Sequence, residues 1–173
     1  MQTVTVAIAD RDPGRRKKLE QLLKGGAGIE VMANVMNASG KAHSRKAAAL
    51  NAACTEDIVL EVSRLRPRIL FFNLDSFGSA SLKMIEALNR ECPDTFIVVL
   101  TEGLIEEEQI LRALANGARG YLTHEADRCY FLKAVRVVDQ GEIWVSRKML
   151  GRIMDKVCTD ISLLGRGSLD FAR

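Results

Sequence analysis

Residues 69–74 read ILFFNL, an apolar run that is interrupted only by the amide of Asn73. A strand that is buried on both faces has this pattern, because neither face leaves positions for polar side chains. Residues 95–100, TFIVVL, repeat the pattern, and apolar residues at helical spacing follow each run. Doubly buried strands that alternate with helices are typical of a parallel sheet covered on both sides. These two segments therefore predict an α/β fold.

The same alternation extends from these two strands to both ends of the chain. Strands are predicted at 3–9, 29–35, 69–74, 95–100 and 118–122, and helices at 13–25, 55–65, 82–92, 105–116, 126–140 and 146–157. The helix signals include Asp12 as an N-cap followed by Pro13 at the first helical position. The order predicts a doubly wound, five-stranded parallel sheet with right-handed crossovers, flanked by helices.

The composition is that of a folded domain. The chain has 173 residues, of which 47% are hydrophobic and 27% charged, which excludes a disordered or fibrous protein. Lys and Arg number 25 against 22 Asp and Glu, too small a surplus for a protein that coats nucleic acid. The four cysteines form no CxxC pair, which argues against a zinc site. Neither a membrane-length apolar run nor a signal-peptide pattern is present, so we expect a cytoplasmic protein without membrane association.

Polar side chains cluster where the predicted strands end. They lie at 10–12, 73–76, 101–102 and 123–124. In a doubly wound sheet the carboxyl ends of the strands meet at one edge, and sites form there. We therefore expect these residues to converge on one crevice.

Five segments carry a resemblance to a known family. They are IADRDP (8–13), ILFFNLDSFG (69–78), IVVLT (97–101), ANGARGYLTHEA (115–126) and KAVRVVDQGEIWVSRKML (133–150). Together they resemble the receiver domain of bacterial two-component response regulators, within the LuxR-type (NarL/FixJ) branch, over residues 4–157. The resemblance implies a flavodoxin-like, CheY-like three-layer sandwich and a role in phosphorelay signal transduction.

The resemblance also implies a phosphorylation site, and this chain departs from it. The family has two acids after strand one that bind Mg²⁺, an Asp at the end of strand three that accepts the phosphoryl group, a Ser or Thr, and a Lys. Asp10 matches the first acid and Thr101 the hydroxyl. Arg11, Asn73 and His124 stand at the other three places. An amide is not a nucleophile, so the site is predicted to be degenerate, without catalytic residues, a cofactor or a bound metal. Asp10 is at most a single metal ligand.

Several of these positions leave two readings open. We expect the Arg11 guanidinium to take the place of Mg²⁺ by pairing with Asp10, Asp12 or Glu102, and the alternative is a solvated Arg11. His124 is either a surface-loop residue or a charge that appears near neutral pH. The hydroxyl of Thr101 and the family's switch aromatic, here Tyr121, either retain a signalling role or only pack. Asp75 is an alternative phosphoacceptor, but using it would break the gapless match around Asn73.

Residues 1–145 are predicted to form the receiver-like domain, with an insertion at about 36–54. The insertion is basic at Lys41, His43, Arg45 and Lys46 and then Ala-rich, which favours an extra or extended helix. A solvated insertion and a site for an acidic partner are both compatible with it. Residues 146–173 are predicted to be a C-terminal helix and a tail, or the start of a linker to an absent output domain, because 159–173 are too few for a helix-turn-helix.

The sequence thus predicts a non-enzymatic signalling module that acts without phosphorylation, in transcriptional regulation. Its partner, a protein or a second copy in a homodimer, would bind through about 105–141, the family's output face, and DNA would bind only through an output domain. The alternative is the receiver part of a DNA-binding LuxR-type regulator that is phosphorylated atypically or lacks its helix-turn-helix here. A small α/β enzyme is disfavoured because the crevice has no nucleophile–base pair.

Overall fold

The computed structural model describes residues 3–35, 47–103 and 105–166. Five parallel strands form one sheet in the order β2-β1-β3-β4-β5. The strands are β1 (Val4–Ala9), β2 (Ile29–Asn34), β3 (Ile69–Asn73), β4 (Phe96–Thr101) and β5 (Ala118–Thr123). The predicted doubly wound sheet is confirmed, with the strand order of flavodoxin-like folds.

Helices cover both faces of the sheet. They are α1 (Pro13–Lys24), α2 (Ala47–Leu65), α3 (Ser81–Glu91), α4 (Glu107–Ala115), α5 (Arg128–Asp139) and α6 (Arg147–Arg166), with a 3₁₀ turn at Gly78–Ala80 before α3. The core on one face contains α1 and α5, and the core on the other face contains α2, α3 and α4. The result is a three-layer sandwich with β3 in its centre.

The two faces of β3 explain why its sequence is continuously apolar. Phe71 and Phe72 are both fully buried, but they point to opposite faces because side chains alternate along a strand. Phe71 packs on Phe131 of α5 at 6.0 Å between ring centroids, and Phe72 stacks on Phe77 at 4.8 Å. Burying each ring contributes about 2 to 3 kcal/mol. Asn73 ends this strand and is therefore held by a rigid core.

Two helices are longer than predicted. α2 begins at Ala47 rather than Thr55, because the Ala-rich part of the insertion continues the helix, and this confirms the extended helix. The rest of the insertion, with its four basic residues, lies outside the described residues. α6 continues to Arg166 rather than ending near Val157, so the part of the expected tail up to Arg166 is helical.

The segment before α6 lies along the edge strand β5. The Trp144 amide donates to the Arg119 carbonyl (2.9 Å), and the Tyr121 amide donates to the Trp144 carbonyl (3.0 Å). These bonds satisfy part of an otherwise open sheet edge. They also bring the chain into α6 beside α4. No helix of the described part of the chain is long and apolar enough to cross a membrane.

Candidate functional site

The predicted crevice forms at the carboxyl edge of the sheet. Asn73 Nδ2 lies 2.7 Å from Asp10 Oδ2, and His124 Nε2 lies 3.4 Å from the same oxygen. Thr101 ends β4 and lies beside Asn73 in the sheet, where Leu100 is the registered partner of Asn73. The strand ends therefore bring Asp10, Asn73, Thr101 and His124 into one region, as the sequence predicted.

Asp10 is the centre of the site. It is 1% exposed, and its carboxylate accepts hydrogen bonds from Arg15, Asn73, Ser76 and the amide of Asp12. Burial raises the pKa of Asp10, but the hydrogen bonds, led by those of Arg15, outweigh burial and hold the pKa below its ordinary value. Asp10 is therefore a carboxylate that is stably ionised without a metal.

The cation beside Asp10 is Arg15, whereas we expected Arg11. Arg15 Nε donates to Asp10 Oδ2 (3.0 Å) and Nη2 donates to Oδ1 (3.1 Å), a bidentate pair. Arg15 Nη1 contacts the carboxylate of Glu102. The hydrogen bond to Asp10 in turn raises the pKa of Arg15. The Arg11 guanidinium instead lies over the ring of Phe77, 5.1 Å from its centroid.

The start of α1 explains why Arg15 reaches the crevice. The Asp12 side chain caps the helix by accepting a hydrogen bond from the Arg15 amide (2.7 Å), and Pro13 occupies the first helical position. Helical side chains tilt toward the N-terminus of their helix, so the side chain of Arg15 is directed back over the strand end. Sequence reasoning missed Arg15 because it searched only the strand ends. An Arg three positions after an N-cap that follows a buried acid was the available signal.

Asn73 is fully buried and uses both ends of its amide. Nδ2 donates to Asp10 (2.7 Å), and Oδ1 accepts from the Asp75 amide (2.9 Å). A carboxylate in the same place would direct an oxygen without a proton at Asp10. The amide therefore gives Asp10 a hydrogen-bond donor, which a carboxylate at this position would not.

Five residues close a ring of polar contacts around the crevice. The Asn73 side chain donates to Asp10 and accepts from the Asp75 amide. Asp75 Oδ2 accepts from the Glu102 amide (2.7 Å). The Arg15 guanidinium contacts the carboxylates of both Glu102 and Asp10, which completes the ring. We call Asp10, Arg15, Asn73, Asp75 and Glu102 the crevice ring. It ties β1, the start of α1, the loop after β3 and the loop after β4 together.

Thr101 and Tyr121 lie beside the crevice ring. Thr101 is fully buried, and its hydroxyl donates to the Gly103 carbonyl (2.7 Å). The same oxygen lies 3.3 Å from the Tyr121 hydroxyl. The two hydroxyls thus link the loop after β4 to β5, where Tyr121 is half-buried.

His124 faces the crevice, and its side chain is only 13% exposed. Its Nε2 is within ion-pair distance of Asp10, but the orientation of the ring gives no hydrogen bond to a described residue. A hydrogen bond needs alignment as well as proximity. Burial lowers the pKa of His124 and outweighs the attraction of Asp10, and Arg15 lowers it further. The buried position therefore favours the neutral form of the His124 ring.

The residues at the family's metal position do not fit Mg²⁺. Mg²⁺ requires an octahedron of oxygens and binds through carboxylates and waters. Here both Asp10 oxygens accept from Arg15, the second acid is replaced by Arg11, and the nitrogen of Asn73 points at Asp10. Within residues 3–35, 47–103 and 105–166, no group of three His, Cys, Asp or Glu side chains is placed to hold a metal ion.

Relatives with similar sequences are bacterial regulators. The chain is 30% identical over 92 residues to the oxygen regulatory protein NreC of Staphylococcus epidermidis, a match that covers 53% of this chain and 42% of that protein. It is 30% identical over 97 residues to NreC of Staphylococcus haemolyticus, covering 56% and 44%. The chain thus spans less than half the length of these relatives. No protein-family model matches it.

Several solved structures with the same fold are response regulators. A LuxR-family response regulator from Aurantimonas superposes with a TM-score of 0.69 at 17% identity, covering 91% of this chain and 99% of that one. The isolated receiver domain of RcsB from Salmonella enterica gives 0.64 at 17% identity, covering 87% and 98%. The receiver domain of NarL from Mycobacterium tuberculosis gives 0.61 at 18% identity, covering 82% and 100%. In sequence and in fold the chain is therefore similar to the receiver domains of LuxR-type response regulators.

Proposed function

We propose that this receiver domain signals without being phosphorylated, as a protein-interaction module whose crevice is held in one arrangement by the crevice ring. The observation that carries the proposal is the bidentate contact of Arg15 with Asp10. A guanidinium stays protonated at every working pH and is covalently part of the chain. The positive charge that phosphorylatable relatives obtain from Mg²⁺ is therefore permanent here.

Charge balance supports this reading. A metal-binding crevice gathers several carboxylates, whose mutual repulsion only a cation relieves. In this crevice the guanidinium of Arg15 contacts two carboxylates, Asp10 and Glu102, and Asp10 also accepts a hydrogen bond from the neutral amide of Asn73. Arg11 and Asn73 each replace an acid of the family's site, and Arg15 supplies the positive charge beside the acid that is left. A single loss of the phosphoacceptor would have left the second acid and the metal site in place.

The proposed function includes no catalytic residue. The domain would pass on its signal by contact with another molecule. The expected contact surface is about 105–141, and the domain boundary is expected near 145. A role in transcriptional regulation is supported by the relatives, since one of the structural neighbours, from Silicibacter pomeroyi, is a LuxR-family DNA-binding response regulator. The alternative function is that of the receiver part of a longer regulator with atypical phosphorylation. The greater length of the NreC relatives is compatible with this alternative.

Phosphorylation can be measured directly. The chain is incubated with Mg²⁺ and acetyl phosphate, and its intact mass is compared with that of Asn73→Asp and with an ordinary receiver domain as a positive control. We expect no added phosphoryl mass on the wild-type chain. An acid-labile adduct on the wild-type chain, mapped to Asp75 or Asp10, would contradict the proposal and favour the alternative.

Metal binding gives an independent test. Amide NMR spectra are recorded during a Mg²⁺ titration of the wild-type chain and of Arg15→Gln. We expect no saturable shift at Asp10 or Asn73 in the wild-type chain, because Arg15 occupies both carboxylate oxygens. Saturable shifts there would show that the guanidinium is displaced and that the crevice is an ordinary metal site.

A further inference from the structure

Ion pairs between described residues connect the C-terminal helix α6 to the first turn of α4. Lys148 Nζ lies 3.1 Å from Glu107 Oε1, and Arg152 contacts the same carboxylate. Lys156 Nζ donates a hydrogen bond to Glu108 Oε2 over 2.7 Å. The three basic residues recur every four positions, so they lie in one row along α6. This row and the two glutamates are complementary in charge.

Apolar packing contributes little to the position of α6. Met149 is the one buried residue within 147–159. Leu150, Met154 and Val157 are 51%, 54% and 45% exposed. A helix that docks through its apolar side would bury such residues and leave its charges in water. Because α6 presents charges to α4 instead, its position there depends mainly on the ion pairs.

An open groove of about 700 Å³ lies between the two helices. It is lined by the glutamates at 106–108 and Leu111 from the side of α4, and by Arg152, Asp155 and Lys156 of α6. Helices that interlock through their side chains are packed as densely as a protein interior and leave no such space. The charged side chains therefore bridge a gap, and α6 can leave α4 without opening a packed core.

We propose that α6 is a releasable strap, which ion pairs hold over the first turn of α4 and which covers this part of the domain until it is released. α4 lies at the start of the surface at about 105–141, so the inference rests on the proposed function for the role of that surface. A partner that contacts the first turn of α4 must first displace α6. Exposed ion pairs are weak individually and are screened by salt, so the strap is expected to open as the ionic strength rises.

Hydrogen exchange of the whole chain measures the release of α6. Exchange is compared at about 0.05 M and about 1 M NaCl, where the screening length falls to about 3 Å. We expect the amides of α6 to exchange at least about fivefold faster at the higher salt concentration, since three weak attractions are lost together. A helix that leaves its domain loses most of its stabilisation, and Gly151 weakens α6 further. The amides of α3, which has four buried side chains, provide the internal reference and are expected to change much less.

Lys156→Glu tests whether the ion pairs cause this response. The new carboxylate faces Glu108, so α6 is expected to exchange faster than in the wild type at low salt. Salt then screens a repulsion as well as the remaining attractions, so the acceleration by salt is expected to be smaller than in the wild type. Arg147→Glu is the matched control, because it makes the same change of charge at an exposed position of α6 that is in neither pair with Glu107 nor with Glu108. It is expected to keep the salt response of the wild type.

The salt response separates the strap from a change in helix stability alone. A variant that only weakens α6 as a helix would raise exchange by the same factor at both salt concentrations. The proposal is overturned if exchange of wild-type α6 does not respond to salt, if α3 responds as strongly as α6, or if Lys156→Glu and Arg147→Glu have equal salt responses. A phosphoryl adduct in the mass measurement would contradict the proposed function and leave the strap in place. An α6 that ignores salt would contradict the strap and leave the proposed function standing.

Discussion

Asp10 is a buried carboxylate, and such a group is stable in a folded protein only where donors or cations compensate the loss of water. Here the compensation comes from the chain itself. Arg15 supplies the charge and Asn73 supplies a neutral donor. The same two residues place an amide at the end of β3 and occupy both carboxylate oxygens of Asp10.

Arg15→Met tests that compensation. We expect it to lower the free energy of unfolding at pH 7 by about 2 to 3 kcal/mol, less than for a wholly buried pair because the Arg15 side chain is 27% exposed. Urea denaturation measures the loss. Arg15→Lys keeps the positive charge without the bidentate contact, so its free energy of unfolding is expected to lie between those of wild type and Arg15→Met. Lys17→Met, at an exposed position on α1, is expected to have little effect.

The pH dependence of that loss has a defined sign. The folded-state pKa of Asp10 lies below its ordinary value of 3.8, so its stabilising contribution is complete above that pH and is lost as the pH falls through the folded-state pKa. Without Arg15 the largest of the contributions that lower the pKa of Asp10 is lost, so this pKa is higher in the variant than in the wild type. The difference between wild type and Arg15→Met is therefore expected to be largest at neutral pH and to shrink in acid. A difference that grows toward acid pH would contradict this account.

Asn73→Asp restores the family's phosphoacceptor type but places two carboxylates in contact. We expect a loss of about 1 to 3 kcal/mol at pH 7, because a donor to Asp10 is replaced by a like charge. Repulsion between the two carboxylates raises the folded-state pKa of one of them, so this group keeps its proton to a higher pH than in the unfolded chain. The variant is therefore expected to become less stable as the pH rises. Urea denaturation at pH 5 and pH 7 tests this. Asn73→Asp as stable as wild type at pH 7 would show that the amide is not needed.

Residue positions were predictable to different degrees. Asp10, Asn73 and His124 were found because each follows a strand, and parallel strands end at one edge. Arg15 was not found because its contact depends on the direction of a helical side chain and on the crossing of α1 over the sheet. The contact of Arg11 with Phe77 was missed for the same reason. Local pattern indicates which backbone positions converge, whereas the partner of a long side chain depends on the packing of whole elements.

At the scale of elements, hydrophobic periodicity and caps predicted the existence and order of all five strands. The ends were less predictable. α6 continues to Arg166 through a segment that has no proline to end it, although this segment was expected to be a tail. Its position depends on pairs such as Lys156 with Glu108, which are far apart in the sequence and have no local signal.

Glu107→Gln tests how α6 is held against α4. Exposed ion pairs contribute little individually, so we expect the free energy of unfolding to fall by less than about 1 kcal/mol. Hydrogen exchange of α6 is nevertheless expected to accelerate, because Glu107 contacts both Lys148 and Arg152. Glu106→Gln, a neighbour outside these pairs, is the control. Equal exchange in the two variants would show that apolar contacts such as the buried Met149 hold the helix.

At the scale of the whole molecule, the resemblance and the alternating pattern together predicted the sandwich, but the pattern alone does not give the strand order. The order follows from how the helices distribute over the two faces of the sheet. The crevice ring then joins the ends of three neighbouring strands, because Asp10, Asn73 and Glu102 follow or end β1, β3 and β4. A contact at one strand end is thereby linked mechanically to the loop that leads into α4.

Asp75→Ala tests whether this link extends across the domain. Removing the carboxylate deletes the hydrogen bond to the Glu102 amide, at a cost of about 1 kcal/mol because Asp75 is exposed. We expect faster hydrogen exchange at Glu102 and Gly103, and also in α4 and in α6, whose ion pairs depend on the position of Glu107 and Glu108. Asp75→Asn retains an oxygen acceptor at the same place and is expected to stay close to wild type. If Asp75→Ala accelerates exchange only at Glu102 and Gly103, the crevice ring fixes its own loops and does not control the surface that α4 and α6 present. If exchange rises through α4 into α6, then the crevice ring sets the shape of the surface that these two helices present, through contacts that are built into the chain.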